Sequence, residues 1–218
     1  MPTWSALNVI TGKLSEPDKM PCPSYSIPAS TCKVGSRLRS VPGSTCSDCY
    51  ACKGCYRFKS TELAMARRFE RTFNPENRSK WVRAMAESIL KNADVKRTGV
   101  FRWHDSGDLQ NVAHLARICK VAELTPTVRH WLPTREYGYV RTYLKRAEFP
   151  SNLVVRLSAH MVNGVAPSIG DLPVSTVHTD PGHVPGAFIC GAPSRDGHCG
   201  DCRACWDPKV ARVSYLKH

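Results

Sequence analysis

Long apolar runs are missing from this sequence. No stretch of its 218 residues approaches the roughly 20 consecutive apolar residues of a membrane-spanning helix, so a membrane is not an expected partner. Also missing, over Met1 to Gly12, is a basic segment followed by an apolar run; without such an export signal the expected location is the cytoplasm. Acidic residues are scarce. Eighteen Asp and Glu stand against 31 Lys and Arg, a formal net charge of +13, which is the electrostatic footprint of a protein that meets polyanions. Nucleic acid or another protein is therefore a candidate partner. No lysine-rich tract or nucleic-acid module accompanies the charge, and a generally basic solvated surface accounts for it equally well.

Cysteine is abundant. Eleven is an odd number, and in a compartment where glutathione keeps thiols reduced, disulfides are the poorer explanation for it. Eight of the eleven fall into two short regions: Cys46, Cys49, Cys52 and Cys55, then Cys190, Cys199, Cys202 and Cys205. Both CSDCYACKGC and CGDCRACW repeat Cys with two intervening residues, so that one turning backbone presents successive thiolates to neighbouring corners of a cubane. Structural zinc is usually held by two pairs set further apart, so a [4Fe–4S] cluster is the expected cofactor and zinc the alternative. Cys199, Cys202 and Cys205, with Cys190 returning across a Gly/Pro/Ser/Asp loop, make a complete ligand set. The earlier region is ambiguous, because Cys22 and Cys32 add more thiols than one cluster needs. One shared cluster or two are both compatible with the spacing. Cys119, on the apolar face of an expected helix with Leu109, Val112 and Ala116, reads as a small core residue.

The length suits a single domain with one sizeable core. Residues 1–59 are rich in Pro, Ser, Gly and Cys without a sustained period and read as loops organised around metal. Residues 60–189 carry the regular structure, and 190–218 form a second cysteine-rich segment. Ser60 and Thr61 predict a helix start running to about Phe73. Asn74-Pro75-Glu76 predicts a second start, with Trp81, Val82, Met85, Ile89 and Leu90 as its apolar face. From there strands (100–103, 128–132, 153–158, 174–177, 187–189) and helices (about 109–123 and 136–147) alternate. That pattern predicts an α/β fold with parallel βα units in a full or partial βα barrel, a doubly wound sheet being the alternative.

Polar residues gather where strands end. His104, Asp105, Ser106, Gly107 and Asp108 follow the first strand; Thr134, Arg135 and Glu136 the second; Ser158 and His160 the third; His178, Thr179 and Asp180 the fourth. In a βα barrel those ends converge on the face that carries ligands and chemistry. His104, Asp105, Arg135, Glu136, His160, His178 and Asp180 are accordingly the candidate catalytic residues. Helix capping by Ser106, Asp108 and Thr134 is the plainer account of part of the pattern. A carboxylate can orient an imidazole, and strand alternation favours His178 with Asp180 over His104 with Asp105 as such a pair. Of Arg102, Arg129, Arg135 and Arg156, which could each meet an anion, Arg135 is the preferred one. Zinc-dependent hydrolysis with His104 or His178 as base ranks last, since the cysteine sets supply too many thiolates for an open hydrolytic site.

The segments PCPSYSIPASTC, CSDCYACKGCYRF, FRWHDSGDLQ, RHWLPTREY, NLVVRLSAHM, STVHTD and CGDCRACW together resemble the phage gene-product-eighty-eight family over nearly the whole chain. That family is in turn distantly similar to radical S-adenosylmethionine proteins, βα barrels whose N-terminal loop carries cysteines ending in a Cys-Tyr-Ala-like text, matched here by Cys49, Tyr50 and Ala51. The resemblance implies a phage protein in the host cytoplasm. It implies that Cys46 and Cys49, with Cys32 upstream, bind a first cluster, and that Cys190, Cys199, Cys202 and Cys205 form an auxiliary set. The usual three-then-two cysteine spacing is absent and no Gly-Gly-Glu text follows the first strand, so S-adenosylmethionine is a candidate ligand without its customary motifs. A redox or radical enzyme is the first functional expectation. A non-catalytic iron–sulfur protein that binds nucleic acid or a host protein is the second.

Overall fold

The computed structural model describes residues 2–217. Its chain opens with α1 (Trp4–Thr11), where the Thr3 hydroxyl accepts from the Ala6 N–H and Gly12, at φ 83°, closes the helix in the left-handed conformation. That helix corrects the expectation of loops throughout 1–59. A short strand β1 (Ser24–Tyr25) and helix α2 (Val34–Leu38) follow. Then come α3 (Lys59–Phe73), α4 (Arg78–Lys91) and α5 (Ala93–Thr98). Ser60 and Thr61 lie inside the first turn of α3, whose N-cap is Phe58. Asn74 does act as a cap, accepting from the Glu76 N–H. Of the expected α4 face, Trp81, Met85 and Ile89 are buried and Leu90 is exposed.

The remainder alternates as β2 (Val100–Trp103), α6 (Val112–Glu123), β3 (Arg129–Thr134), α7 (Tyr137–Leu144), β4 (Leu153–Ser158), β5 (Val174–His178), β6 (Phe188–Ile189) and β7 (Arg212–Leu216). All seven strands form one sheet in the order β1-β2-β3-β4-β5-β7-β6, and every neighbouring pair is parallel. The sheet is not closed. Its strand order runs almost in sequence from one edge to the other, without the reversal of a doubly wound sheet.

Side chains of a pleated strand alternate between faces. On one face Phe101, Trp103, Leu132, Leu153, Val155 and Leu157 pack against Trp81, Met85, Ile89, Leu115, Ile118 and Val140 from the helices. Cys119 belongs to this core and is fully buried, and burial pushes its thiol up to about 11. On the other face Val100 and Trp131 pack against Cys22 and Trp206, flanked by Met20, Cys205 and Tyr215. The C-terminal cysteine segment thus covers the sheet face that the helices leave bare.

Gly107 fixes the turn after β2. Its φ is +83°, and an added Cβ would stand 2.3 Å from Ile27 Cγ1 and 2.8 Å from the Ile27 carbonyl oxygen, in a turn where the Ile27 N–H donates to the Ser106 carbonyl. Gly107→Ala combines left-handed strain with a steric clash and is expected to cost roughly 2–4 kcal/mol, read as a lower midpoint in urea unfolding.

Candidate metal centre

Residues 27–56 lie across the C-terminal ends of β2, β3 and β4. The Val34 N–H, at the start of α2, donates to Glu136 Oε1 at 2.7 Å. Arg135 Nε donates to Thr45 Oγ1 at 3.0 Å, and the Thr45 N–H donates to the His160 carbonyl at 2.8 Å. Tyr50 Oη donates to the Asp105 carbonyl at 2.5 Å and Tyr56 Oη to Asp105 Oδ2 at 3.0 Å. Asp105 Oδ1 also accepts from the hydroxyls of Ser24 and Ser26, so this carboxylate ties β1, β2 and the cysteine loop together. Asp108, raised to about 6 by burial, accepts from Thr134 Oγ1 and from the N–H groups of Leu109 and Arg135.

Three of the four polar strand endings therefore meet, around the N-terminal cysteine loop. His160 stacks on Tyr137 with ring centroids 4.5 Å apart, and burial lowers its pKa. The fourth ending turns aside. His178 Nδ1 lies 2.7 Å from Ser214 Oγ, while the Asp180 carboxylate caps the Gly182 N–H at 2.6 Å, so the two do not pair. His104 is also apart from the loop: its side chain is buried on the helix side of the sheet, edge-on to His114 at 5.2 Å.

Within the loop, the thiols of Cys32 and Cys46 flank Gly35. A Cβ added there would stand 3.6 Å from Cys46 Sγ and 3.7 Å from Cys32 Sγ, so the missing side chain leaves a cradle between two sulfurs. Burial raises the Cys32 pKa, and the nearby charges of Asp108, Cys49 and Cys46 add to it. Cys49 is raised by burial and by its neighbours Cys52 and Cys46. Cys32, Cys46 and Cys49 are thus mutual neighbours, with Cys52 beside Cys49 and Cys55 exposed.

The second cysteine group lines a single pocket. Cys190, Cys199, Cys202 and Cys205 face it together with Phe188, Arg195, Ala204, Trp206 and Val213. The Cys190 N–H donates to the Ser214 carbonyl on β7, and the Cys199 N–H to the Lys19 carbonyl. Burial pushes Cys205 up to about 11, against the Tyr215 hydroxyl at 3.2 Å and the charges of Arg156 and Arg102. Cys22, spare in the sequence reading, stands close enough to Cys199 and Arg102 for their charges to act on it, and burial raises it to about 12.

Arg156 is the residue whose role differs most from the sequence reading. It is fully buried on β4 and donates to four backbone carbonyls, Val174 and Val210 from Nη1 and Ala204 and Asp207 from Nη2. It is committed to the polypeptide and not to an anionic ligand. Neither Arg156 nor Arg102 makes an ion pair with a carboxylate among the described residues. A buried guanidinium without a counter-anion beside a set of thiols suits a net-negative thiolate centre.

All eleven cysteines are free thiols. Among the described residues, no three His, Cys, Asp or Glu side chains converge as the shell of one metal ion. All-thiol donor sets are the chemistry that an iron–sulfur cluster or a structural zinc ion takes. Sequence reasoning had no signal for the Cys22 and Arg156 placements, which depend on strands distant in the chain.

No curated protein and no solved structure matches the chain. The family model described as Gene product 88 matches residues 5–208. With these ordered segments carried on one parallel sheet, the chain belongs to the Gene product 88 family.

Proposed function

We propose that this protein is an iron–sulfur protein whose sheet is a partial βα barrel of the radical S-adenosylmethionine type, and that it acts as a redox or radical enzyme. The observation that carries this reading is the pocket lined by Cys190, Cys199, Cys202 and Cys205, with the carboxylate-free Arg156 beside it. Cys32, Cys46 and Cys49 would hold a first [4Fe–4S] cluster over the strand ends and the C-terminal four a second. Such a cluster supplies one-electron chemistry when bound.

This chain's residues would do the rest. Glu136 fixes the start of α2 between Cys32 and Cys46, and Arg135 fixes Thr45 beside Cys46. His160 and Tyr137 form one wall next to that loop. Asp108, raised by burial, accepts from Leu109, Thr134 and Arg135 and puts a carboxylate near Cys32. His104, His178 and Asp180 lie outside this neighbourhood.

The test is anaerobic purification with iron, sulfide and zinc analysis. About eight irons per chain are expected for two clusters, falling to about four on Cys199→Ser and likewise on Cys49→Ser. Zinc without sulfide would sink the reading. A spectral change on adding S-adenosylmethionine is expected only if the N-terminal centre keeps an open iron, and Cys52→Ser should leave its iron content unchanged in that case.

The second reading is a non-catalytic iron–sulfur protein that binds nucleic acid or a host protein, favoured by the formal charge of +13. It expects DNA or RNA binding that weakens steeply with added salt. No binding at low salt would remove it.

A further inference from the structure

Arginine side chains gather around one stacked pair of rings at the strand ends. His160, just beyond β4, lies against Tyr137, the first residue of α7, with 6° between the ring planes. The Tyr137 hydroxyl donates to the Ser158 carbonyl, which holds the pair down on β4. The Arg135 guanidinium is near enough for its charge to act on both rings. Arg37, on α2, acts on His160, and Arg141, one turn further along α7, acts on Tyr137.

Arg135 is positioned by the backbone and a hydroxyl. Thr45 Oγ1 donates to the Ala159 carbonyl at 3.0 Å and accepts from Arg135 Nε at 3.0 Å. Residues 43–45 are themselves bonded to 160–162, through the Thr45 and Val162 N–H groups. The planar fork is thus held at one nitrogen, while Nη1 and Nη2 make no hydrogen bond among the described residues and are open to solvent. None of Arg37, Arg135 and Arg141 forms an ion pair among those residues. The two carboxylates in reach are buried and turned to the backbone: Glu136 accepts from the Val34 N–H, and Asp108 from the Leu109 and Arg135 N–H groups as well as the Thr134 hydroxyl.

Guanidinium groups that share a neighbourhood without an acid to balance them repel one another and draw an anion. The open fork of an arginine matches the oxygens of a phosphate, and the C-terminal ends of parallel strands are where α/β sheets hold their ligands. We infer that Arg37, Arg135 and Arg141 form a binding site for a phosphate group beside the His160–Tyr137 stack. The site needs no metal at either cysteine group, so it stands or falls apart from the iron–sulfur reading.

The experiment titrates the full protein, at low salt, with inorganic pyrophosphate and separately with a short single-stranded DNA, by calorimetry. Arg135→Gln is expected to weaken binding by roughly tenfold or more, and Arg37→Gln and Arg141→Gln by about threefold each. Arg83→Gln, which removes the same charge from the exposed surface of α4, should bind as wild type. Ring signals of His160 and Tyr137 should shift in NMR spectra at saturation, and those of the exposed His183 should stay. Arg37 is exposed and its side chain bonds nothing among the described residues, so its variant reads the site even if Arg135→Gln loosens the Thr45 loop. If only pyrophosphate shows this dependence, the phosphate belongs to a small molecule; if only DNA does, it belongs to a nucleic-acid backbone. The site is refuted if neither probe binds, if Arg37→Gln and Arg141→Gln bind as wild type, or if Arg83→Gln weakens binding as much as they do.

Discussion

Arg156→Met is expected to cost the fold roughly 3–5 kcal/mol and, on the proposed iron–sulfur reading, to strip the C-terminal cluster while leaving the N-terminal one. Four carbonyls lose a donor at once, those of Val174, Ala204, Asp207 and Val210, although Ala204 and Asp207 still accept from the Asp207 and Val210 N–H groups. A buried acceptor left without a partner loses about 1–3 kcal/mol. Removing the buried charge offsets part of that sum. Ala204 and Asp207 bracket Cys205 and Trp206, so the loop that presents Cys202 and Cys205 would lose its attachment to β4. Lysine restores the charge but not the planar fork that reaches four oxygens, so Arg156→Lys should fall between wild type and Arg156→Met. Iron per chain and the urea midpoint, measured on both variants, check the two parts separately. Full iron retention in Arg156→Met would contradict the assignment.

Acid should unfold this protein unusually early. His104, His114 and His130 are all buried. Burial lowers His104 to about 3 and His130 to about 3, and it holds His114 well below the usual imidazole range, with the facing His104 and Arg117 adding to the effect. His130 has its neutral form fixed by two bonds: Nδ1 accepts from Trp103 Nε1 at 3.2 Å, so Nε2 carries the proton and donates to Thr125 Oγ1 at 2.7 Å. The ring nitrogens of His104 and His114 have no partner. In the unfolded chain each histidine takes up a proton near pH 6.5, whereas in the folded chain His104 and His130 take none until near pH 3 and His114 is held well below the usual imidazole range. The stability they contribute is complete above pH 6.5 and is lost as pH falls from there towards 3. His104 and His130 each lose about 1.4 kcal/mol per pH unit in that window, so at pH 5 the two together remove roughly 4 kcal/mol, with His114 acting in the same direction. That is a large share of the whole stability of a typical domain. Chemical unfolding at pH 7 and pH 5 should show the drop, and His114→Leu should shrink it. An unchanged drop in His114→Leu would mean that other groups drive the acid transition.

Much of the fold was legible because strand and helix periods alternate cleanly between residues 100 and 158. There β2 and β4 begin and end where the pattern placed them, and β3 extends two residues further. The first strand was not legible: Ser24–Tyr25 is two residues within proline-rich text, too short for any period to register. The last strand was missed for a different reason. RVSYL follows a cysteine-rich loop, and its slot between β5 and β6 is set by pairing with a distant strand. Helix α1 carried its signals in Thr3 and Gly12, which the abundance of Pro and Ser further along masked. At the site, cysteine spacing identified the C-terminal four. Spacing left the partner of Cys32 open and the resemblance grouped it with Cys46 and Cys49; in the folded loop Gly35 brings the Cys32 and Cys46 sulfurs, 14 residues apart, to one cradle. His104 was legible as a strand-end residue but not its direction. A φ of 51° turns it towards the helices and away from the loop.

The seating of the N-terminal cysteine loop on β2, β3 and β4 sets an order of events during synthesis. Cys32, Cys46 and Cys49 leave the ribosome early, but the groups that hold their loop, Asp105, Glu136 and the His160 carbonyl, emerge only well after them. Until then the thiols are on a tether with nothing to dock against. The C-terminal pocket closes later still, once β7 has inserted beside β5. Nascent chains stalled just beyond residue 160 plus the tunnel length should therefore hold a docked N-terminal cysteine loop while the C-terminal cysteine pocket is still open, so that the two ends of the sheet are completed one after the other.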